Sequence, residues 1–410
     1  MKNFRKTLFA DLPYLFRRFW QEHNGRIMLI LAALVILILT PVFLWRHQDE
    51  MYSDFGLHLV FTRRLIQGNF AEIPAYSLAH SGLQLLVAAV YWLSLKKIPL
   101  VWINVMLLVG AQVLTTLGFY VWLGGSPRRG WDWLRAAAAL SLTIAAPVMA
   151  LAGIDGKYYY GYIGLANYHN PTIILLRPLA LFSFWMFVNE IEGSTRANWG
   201  KILLSGLLVA FSGLIKPSYI LCVLPVVFLI AAWRWWKHEL LDMRFLFFGA
   251  FLPGFVILAA QGLMTYLLPS SGGSRVIIAP FLVENSYSEY LGVKLLLSTL
   301  FPLVVLVFNG RNFLKDQVVQ IVTLGFLFAL AQAYFVAESG DRLLDGNFLW
   351  GAQIVLFLVF AVFCLRWLRN RFLPAIAGFW EKVFVMGAWL LQTAAGVVYI
   401  VYVLTHIAYQ

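Results

Sequence analysis

The run "IMLILAALVILILTPVFLW", residues 27–45, decides the fold class of this chain. It carries no charged residue, and as a helix it is long enough to cross the hydrocarbon core of a bilayer, which is ~30 Å thick. The run is too long for the apolar region of a signal peptide, and acidic residues follow it in place of a small-residue cleavage site. We therefore expect a membrane anchor that the mature chain retains.

Similar apolar runs recur along almost all of the 410 residues, which are 61% hydrophobic and 12% charged. A soluble domain has about twice that charged share, and a β-barrel would show short segments of alternating polarity. The expected fold is an all-α polytopic membrane protein, a single transmembrane domain over 1–410 with no soluble domain. Its candidate spans, about eleven by length and hydropathy, lie near 27–45, 99–123, 133–152, 171–189, 201–215, 218–233, 245–268, 292–308, 317–336, 347–365 and 383–407.

The net charge of +12 comes from cations that cluster between the apolar runs. This distribution is typical of positive-inside loops in contact with anionic lipids, and it argues against a nucleic-acid partner. The two cysteines, Cys222 and Cys364, lie inside apolar runs, so neither a disulfide framework nor a cysteine metal site is expected.

The short apolar piece 80–95 decides the predicted topology. Residues 1–26 are rich in Lys and Arg, which places the N-terminus in the cytoplasm. If 80–95 does not cross fully, nearly all later cationic loops fall on the cytoplasmic side as well. We therefore predict a re-entrant or interfacial helix at 80–95 and a C-terminus outside. The segments predicted outside are 46–98, which begins with the first outer loop and its juxtamembrane helix at 46–80, then 153–170, 215–217, the flexible loop 269–291, and 337–346.

The first outer loop carries a polar stripe on a predicted helix. Asp54, His58 and Thr62 are spaced by four residues, so they share one helix face. A mostly apolar helix with one such stripe turns it toward a wet cavity. Asp54 is then a candidate carboxylate base with His58 as its neighbour. Alternatively, Asp54 merely favours the helix dipole at a solvated helix start.

The stretch "AGIDGKYYYGYIGLANYHNPTIILLRPLA", residues 152–180, holds three more candidates. Asp155 and His169 precede a helix that Asn170 caps. Both are candidate substrate-binding residues, and Asp155 is a candidate for binding a substrate hydroxyl or a cation. The tyrosines between them are typical both of sugar stacking and of an interfacial aromatic belt. Arg177 lies inside the following span, where a cation is costly unless it is paired or functional. We interpret it as a phosphate contact or the partner of an acid.

Later loops supply further candidate substrate-binding residues. Lys216, before Pro217, is placed either to grip a lipid phosphate or to snorkel to the interface. Glu338 and Arg342 lie between two spans, and a guanidinium can bind phosphate through two hydrogen bonds. Arg275, in the loop "PSSGGSR", is another candidate phosphate contact. The spacing of Asp54 and Asp155 does not demand a metal, so no metal site or cofactor is predicted, and a divalent cation is left open.

The motif DFxxHxxxxxxLxxGN, from Asp54 to Asn69, resembles the first outer loop of the GT-C superfamily of membrane glycosyltransferases. The short apolar piece after that loop and the many spans resemble the superfamily as well. The resemblance implies a GT-C-like bundle, a polyprenyl-phosphate-linked sugar donor and a catalytic Asp in the first outer loop. Its acidic position matches Asp54, with Asp49 and Glu50 as the alternative.

These observations lead to one expected function and two alternatives. We expect an inverting glycosyltransferase of a bacterial plasma membrane that acts on its outer face with Asp54 as base. The donor would be a polyprenyl-phosphate sugar and the acceptor an envelope glycan, lipid or protein. The alternatives are a lipid-linked glycan polymerase or ligase, and a transporter or flippase, whose expected mark is interrupted helices with midplane charges.

Overall fold

The computed structural model describes most of the chain between Trp20 and His406. The described residues are 20–21, 23–48, 53–125, 130–166, 168–193, 196–267, 274–369 and 378–406. Most of the cationic segment 1–26, together with Asp49 and Glu50, therefore lies outside the described residues.

The described chain is almost entirely helical. Its helices are α1 (Gly25–Arg46), α2 (Asp54–Gln67), α3 (Ala75–Ala79), α4 (Gly82–Leu93), α5 (Leu100–Trp122), α6 (Trp131–Ile144), α7 (Ala152–Asp155), α8 (Pro171–Glu192), α9 (Trp199–Ile215), α10 (Ser218–Trp236), α11 (Met243–Leu267), α12 (Leu282–Tyr287), α13 (Leu291–Ser298), α14 (Leu300–Phe313), α15 (Gln317–Phe335), α16 (Leu349–Trp367) and α17 (Phe379–Thr405). Short 3₁₀ turns lie at Phe70–Glu72 and Gly340–Arg342.

Eight of these helices are long and apolar enough to cross a membrane. They are α1, α5, α8, α10, α11, α15, α16 and α17. Helices α13 and α14 would make a ninth span if they are taken together, although they are bent by 70° at their junction. These numbers, which hold for the described residues, confirm the predicted class of polytopic helical membrane protein but not the predicted count of about eleven.

Two helices shorter than a full span, together with the bent pair α13 and α14, account for the difference in count. Helix α6 has 14 residues and α9 has 17, so they measure about 21 and 26 Å at a rise of 1.5 Å per residue. Helix α6 stops at Ile144 because Pro147 follows and the backbone turns extended at Ala145. The apolar run continues past this point, which is why hydropathy alone predicts a longer span.

The piece predicted to decide the topology forms the 12-residue helix α4. At about 18 Å it is shorter than a bilayer core. It ends in Leu95 and Lys96, which both adopt left-handed backbone angles, and the Lys96 ammonium lies 4.1 Å from the centre of the Trp92 ring. Its placement in or on the membrane stays a prediction.

Helix α16 lies at the centre of the bundle, and almost every one of its residues is buried. Its sequence is apolar on all sides because neighbouring helices surround it, in particular α15 along its whole length and α10. Both cysteines are free and buried, Cys222 on α10 and Cys364 on α16. The centre of the protein is thus a packed helical core.

A close backbone contact joins α17 to the end of α6. A Cβ atom placed on Gly396 would lie 1.8 Å from the carbonyl oxygen of Ile144, whereas a Cβ on Gly387 of the same helix would meet nothing within 4 Å. Only glycine lets the two backbones approach this closely.

We expect Gly396→Ala to lower the thermal midpoint of the purified protein by many degrees, since backbone atoms must move apart to admit the methyl group. Gly387→Ala is the matched control, and it should be neutral or slightly stabilising because alanine favours helix. Thermal unfolding in detergent measures both variants. Equal midpoints would show that the contact carries no stability.

One small β-ribbon stands outside the helices. Strand β1 (Val276–Ile278) pairs antiparallel with β2 (Val336–Glu338), with Ile277 opposite Ala337. Residues 274–291 of the loop predicted as flexible thus form a strand, helix α12 and the start of α13. Residues 268–273, which include Gly272 and Gly273, lie outside the described part, and the flexibility of the loop stays a prediction.

Candidate functional site

Asp54 is the first residue of α2 and is fixed close to the end of α1. The Ser53 hydroxyl caps α2 by accepting a hydrogen bond from the Gly56 amide at 3.1 Å. The same hydroxyl donates to the carbonyl oxygen of Arg46 at 3.1 Å. This double contact holds the start of the juxtamembrane helix against the first span, so that the position of Asp54 is set by the end of α1.

Asn170 joins Asp54 to α8. Its amide nitrogen donates to Asp54 Oδ2 at 2.7 Å, while its side-chain oxygen accepts from the Thr172 and Ile173 amides at 3.0 and 3.4 Å. The side chain therefore caps α8 and holds the candidate base at once. His169 Nε2 lies 4.0 Å from the same carboxylate oxygen. The side chains of Asp54 and His169 remain about one-third accessible, at 31% and 27%.

We expect Asn170→Ala to cost more than the ~1 kcal/mol of a lost helix cap, because the Asp54 contact is lost too. Asn198→Ala, at the cap of α9, is the matched control, since within the described part of the chain the Asn198 side chain accepts only from the Lys201 amide, at 2.9 Å. Chemical or thermal unfolding of both variants compares the two losses. If Asn170→Ala is no more costly than the control, the contact with Asp54 adds nothing to stability.

Lys216 supplies a cation beside Asp54. Its ammonium nitrogen donates to Thr172 Oγ1 at 3.4 Å and lies 4.7 Å from the centre of the Trp350 ring. Burial lowers the pKa of Lys216 to about 8, and the nearby Asp54 carboxylate opposes that shift. Among the described residues no carboxylate forms an ion pair with it. Its charge is therefore available to an anionic ligand.

Two neutral histidines line the same place. Gln84 of α4 donates from Nε2 to His58 Nδ1 at 2.9 Å. Burial lowers the pKa of His58 to about 4, although Asp54 acts in the opposite direction. Burial also lowers the pKa of His80 to about 3, with a smaller contribution from Lys216. At neutral pH both imidazoles are uncharged, so they add hydrogen-bonding atoms without adding charge.

Arg342, although distant in sequence, contacts Tyr76 of the first outer loop. Its guanidinium lies 4.4 Å from the centre of the Tyr76 ring, and Nη1 lies 2.9 Å from Glu338 Oε1. Glu338 is buried and also accepts from the Tyr266 hydroxyl at 2.7 Å and from Asn347. Glu338 thus positions Arg342 and is itself fully engaged.

We call this group the Asp54 cluster. It consists of Asp54, His58, Tyr76, His80, His169, Asn170, Lys216, Glu338, Arg342 and Trp350. Helices α2, α8, α10 and α16 all begin beside it, and α1 ends there; we call this side of the bundle the site face. Helix N-termini carry partial positive charge, so this arrangement favours an anion next to Asp54.

Asp155, which is predicted to bind substrate, is instead part of a structural ion pair. It pairs with Lys294 of α13, accepts from the Ser288 hydroxyl at 2.8 Å and accepts from the Lys157 amide at 3.0 Å. Burial alone would raise the pKa of Asp155, but these hydrogen bonds hold it below its usual value. Its contacts fasten the segment after α7 to α13, and none of them joins it to Asp54.

Arg177 also lies apart from the Asp54 cluster. It follows Asn170 by seven residues on α8, which puts it about 10 Å further along the helix. Its described contacts are with Gln112, the carbonyl oxygen of Thr143 and the Phe357 ring. Arg177, which is predicted to contact a phosphate or to pair with an acid, therefore has no described contact with Asp54 or Arg342.

Arg275 contributes through its backbone. Its amide donates to Ser339 Oγ at 2.9 Å, and its carbonyl oxygen accepts from the Ser339 amide at 2.8 Å. These bonds extend the β-ribbon by one residue. Its side chain is exposed, and no described contact links it to the Asp54 cluster.

Sequence reasoning missed several members of this neighbourhood. Arg46 is buried at the end of α1. Burial is the main cause that lowers the pKa of His169, and the positive charges of Arg46 and Lys216 lower it further. In the sequence Arg46 has the ordinary appearance of a cation that ends a span. Tyr76 and His80 lie in a stretch without a recognisable motif. In the sequence Trp350 looks like an ordinary interfacial aromatic residue.

The donor atoms of the cluster do not amount to a metal centre. No group of three or more His, Cys, Asp or Glu side chains suited to a metal occurs among the described residues. The pairing of Asp155 with Lys294 removes the carboxylate that would have joined Asp54. The arrangement instead combines a carboxylate, neutral imidazoles and cations.

A scan against protein-family models found no match, and searches of curated proteins and of solved structures found none either. The geometry of the Asp54 cluster is therefore the basis for a functional proposal.

Proposed function

We propose that this chain is a membrane glycosyltransferase of the GT-C type that uses a polyprenyl-phosphate-linked sugar. The observation that carries the proposal is that Asp54, Lys216 and Arg342, three residues far apart in sequence, belong to one cluster on the site face. Hydrogen bonds through Asn170 and Thr172 connect Asp54 to Lys216, and the Arg342 guanidinium lies over the Tyr76 ring of the same cluster. A base beside an anion-binding surface is what direct displacement of a phosphate by a hydroxyl requires.

In the proposed reaction Asp54 is the general base. The acceptor hydroxyl gives its proton to the Asp54 carboxylate while its oxygen attacks the anomeric carbon of the donor sugar. The new carbon–oxygen bond forms as the bond to the phosphate oxygen breaks, and the electron pair leaves with that oxygen. Because attack and departure occur on opposite sides, the anomeric configuration inverts. Asn170 holds the carboxylate oxygen in place through its 2.7 Å hydrogen bond.

Lys216 and the helix N-termini of the site face would stabilise the departing phosphate. Lys216 contacts a hydroxyl and an aromatic ring directly, and the Asp54 carboxylate is near it without a described ion pair, so its ammonium group can still bind an anion. Arg342 is paired with two carboxylates, Glu338 at 2.9 Å and Asp345 at 3.4 Å, so it adds hydrogen bonds more than net charge. Neutral His58 and His80 are placed to hydrogen-bond the sugar hydroxyls.

A lipid-linked donor also accounts for the architecture. The polyprenyl tail would stay between helices while its phosphate reaches the Asp54 cluster, so that the catalyst needs no soluble domain. We propose that the site face is the outer face of a bacterial plasma membrane, where the acceptor is an envelope glycan, lipid or protein.

A transporter or flippase is the second candidate, favoured by the 70° break between α13 and α14 and by the buried cation Arg177. A lipid-linked glycan polymerase or ligase is the third. One assay separates them: purified protein in vesicles is given polyprenyl-phosphate and polyprenyl-diphosphate sugars, and the lipid products are identified. The glycosyltransferase releases polyprenyl phosphate, the polymerase or ligase releases polyprenyl diphosphate, and the transporter releases neither.

A further inference from the structure

A second polar site lies in the interior of the bundle, away from the Asp54 cluster. Arg177 of α8 is 1% exposed and Gln112 of α5 is 0% exposed. Arg177 Nη1 donates to Gln112 Oε1 at 3.5 Å and to the carbonyl oxygen of Thr143 at 3.4 Å. Thr143 belongs to the last turn of α6, the helix that stops inside the bundle.

Two hydrogen-bond donors at this place have no partner among the described residues. They are Nη2 of Arg177 and Nε2 of Gln112, and both atoms are buried. Neither nitrogen can accept a hydrogen bond, so the group that satisfies them must be an acceptor. Unpartnered buried donors are rare in native proteins and call for an explanation.

The positive charge of Arg177 is not balanced by an acid. None of the contacts of Arg177 within the described chain is with a carboxylate. Its other neighbours are the Phe357 ring, 5.2 Å from the guanidinium, the side chains of Tyr159 and Tyr168, and the carbonyl end of α6, which carries about half a negative charge. A buried cation is stable only when its charge is compensated more fully than this.

We infer that Arg177 and Gln112 bind a small inorganic anion of the size of chloride. An anion supplies both of the missing features, an acceptor for two N–H groups and a full negative charge, whereas water supplies only the acceptor. The site lies about 10 Å along α8 from the Asp54 cluster, and both of its side chains are almost fully buried, so it suits a small ion rather than a lipid phosphate. It is independent of the proposed transferase activity.

The test is a titration of thermal unfolding with purified protein in detergent. Sodium chloride is exchanged for sodium gluconate at constant ionic strength, because gluconate is too large for an enclosed site. A ligand that binds only the folded state raises the midpoint with concentration. We expect a rise of several degrees in chloride and also in bromide. Identical midpoints in chloride and gluconate would overturn the inference and assign the donors to water.

A designed variant locates the effect. Gln112→Glu places a carboxylate next to Arg177, so it should remove the chloride response and bring the midpoint in gluconate close to that of the wild type in chloride. Gln320→Glu, on the exposed start of α15, is the matched control and should keep the full response. A chloride response that persists in Gln112→Glu would place the ion elsewhere, for example at Lys216, and would refute the site. If Gln112→Glu does not fold, the wild-type titration still decides between anion and water.

Discussion

Replacing Asp54 by Asn should lower the rate of sugar transfer by about 10³-fold, since general-base catalysis contributes typically 10²–10⁴. Asparagine has nearly the same shape as aspartate and keeps an oxygen that can accept the hydrogen bond from Asn170. The variant loses the carboxylate that takes the proton, and the fold should survive. The rate is measured as release of polyprenyl phosphate from a panel of polyprenyl-phosphate hexoses and pentoses.

Asp341→Asn is the matched control for this experiment. Asp341 is an exposed acid of the loop that also carries Arg342, and its replacement should leave the rate unchanged. Thermal midpoints of both variants should equal that of the wild type. An Asp54→Asn protein with full activity would eliminate Asp54 as the base and, with it, the proposed mechanism.

Replacing Lys216 by Met should reduce the rate by about 10²-fold, because a positive charge aimed at a developing anion is typically worth 10²–10³. Methionine fills a similar volume beside Trp350 and removes only the charge and the bond to Thr172. Lys201→Met, at the opposite end of α9, is exposed and serves as the control. A loss of similar size in both variants would point to a general effect of membrane charge.

The same lysine predicts a pH dependence. Burial lowers the pKa of Lys216 to about 8, so the ammonium form is complete well below pH 8 and is lost as the pH rises through it. The wild-type rate should therefore fall above about pH 8. Arginine stays charged in this range, so Lys216→Arg should show no such fall, whatever its rate at pH 7. A decline of the same shape in both proteins would mean that another group titrates.

Hydropathy predicted the class of this protein well and its helix count poorly, for a physical reason. An apolar run shows where a chain avoids water, but it does not show where a helix stops inside a bundle. The apolar run 133–152 continues past the end of α6 at Ile144. The apolar run 292–308 continues through the 70° break after Ser298. In both places side chains of neighbouring helices form hydrogen bonds with backbone groups that the interrupted helix leaves unpaired. The Gln392 side chain, for example, accepts from the Phe301 amide and donates to the Ser298 carbonyl oxygen.

The site was predictable to the extent that polar residues at span ends share one face. Asp54, Lys216 and Arg342 are such residues, and all three belong to the Asp54 cluster. Asp155 and Arg177 are also polar residues near span ends in the sequence. Asp155 pairs with Lys294 and Arg177 bonds to Gln112, and no sequence pattern predicts either partner. Partner choice depends on tertiary packing, which a single sequence does not encode in its spacing.

The burial of both native cysteines makes the orientation of this protein directly measurable. Cys222 and Cys364 are the only thiols of the chain, and the core shields them from reagents in water. We therefore expect the wild-type protein not to react with a maleimide reagent in water, so that no native cysteine has to be removed before labelling. Single cysteines at exposed Phe70, Ile154 and Trp199 can each be probed with a membrane-impermeant maleimide. If Phe70 and Ile154 react in intact cells and Trp199 does not, the Asp54 cluster faces outward.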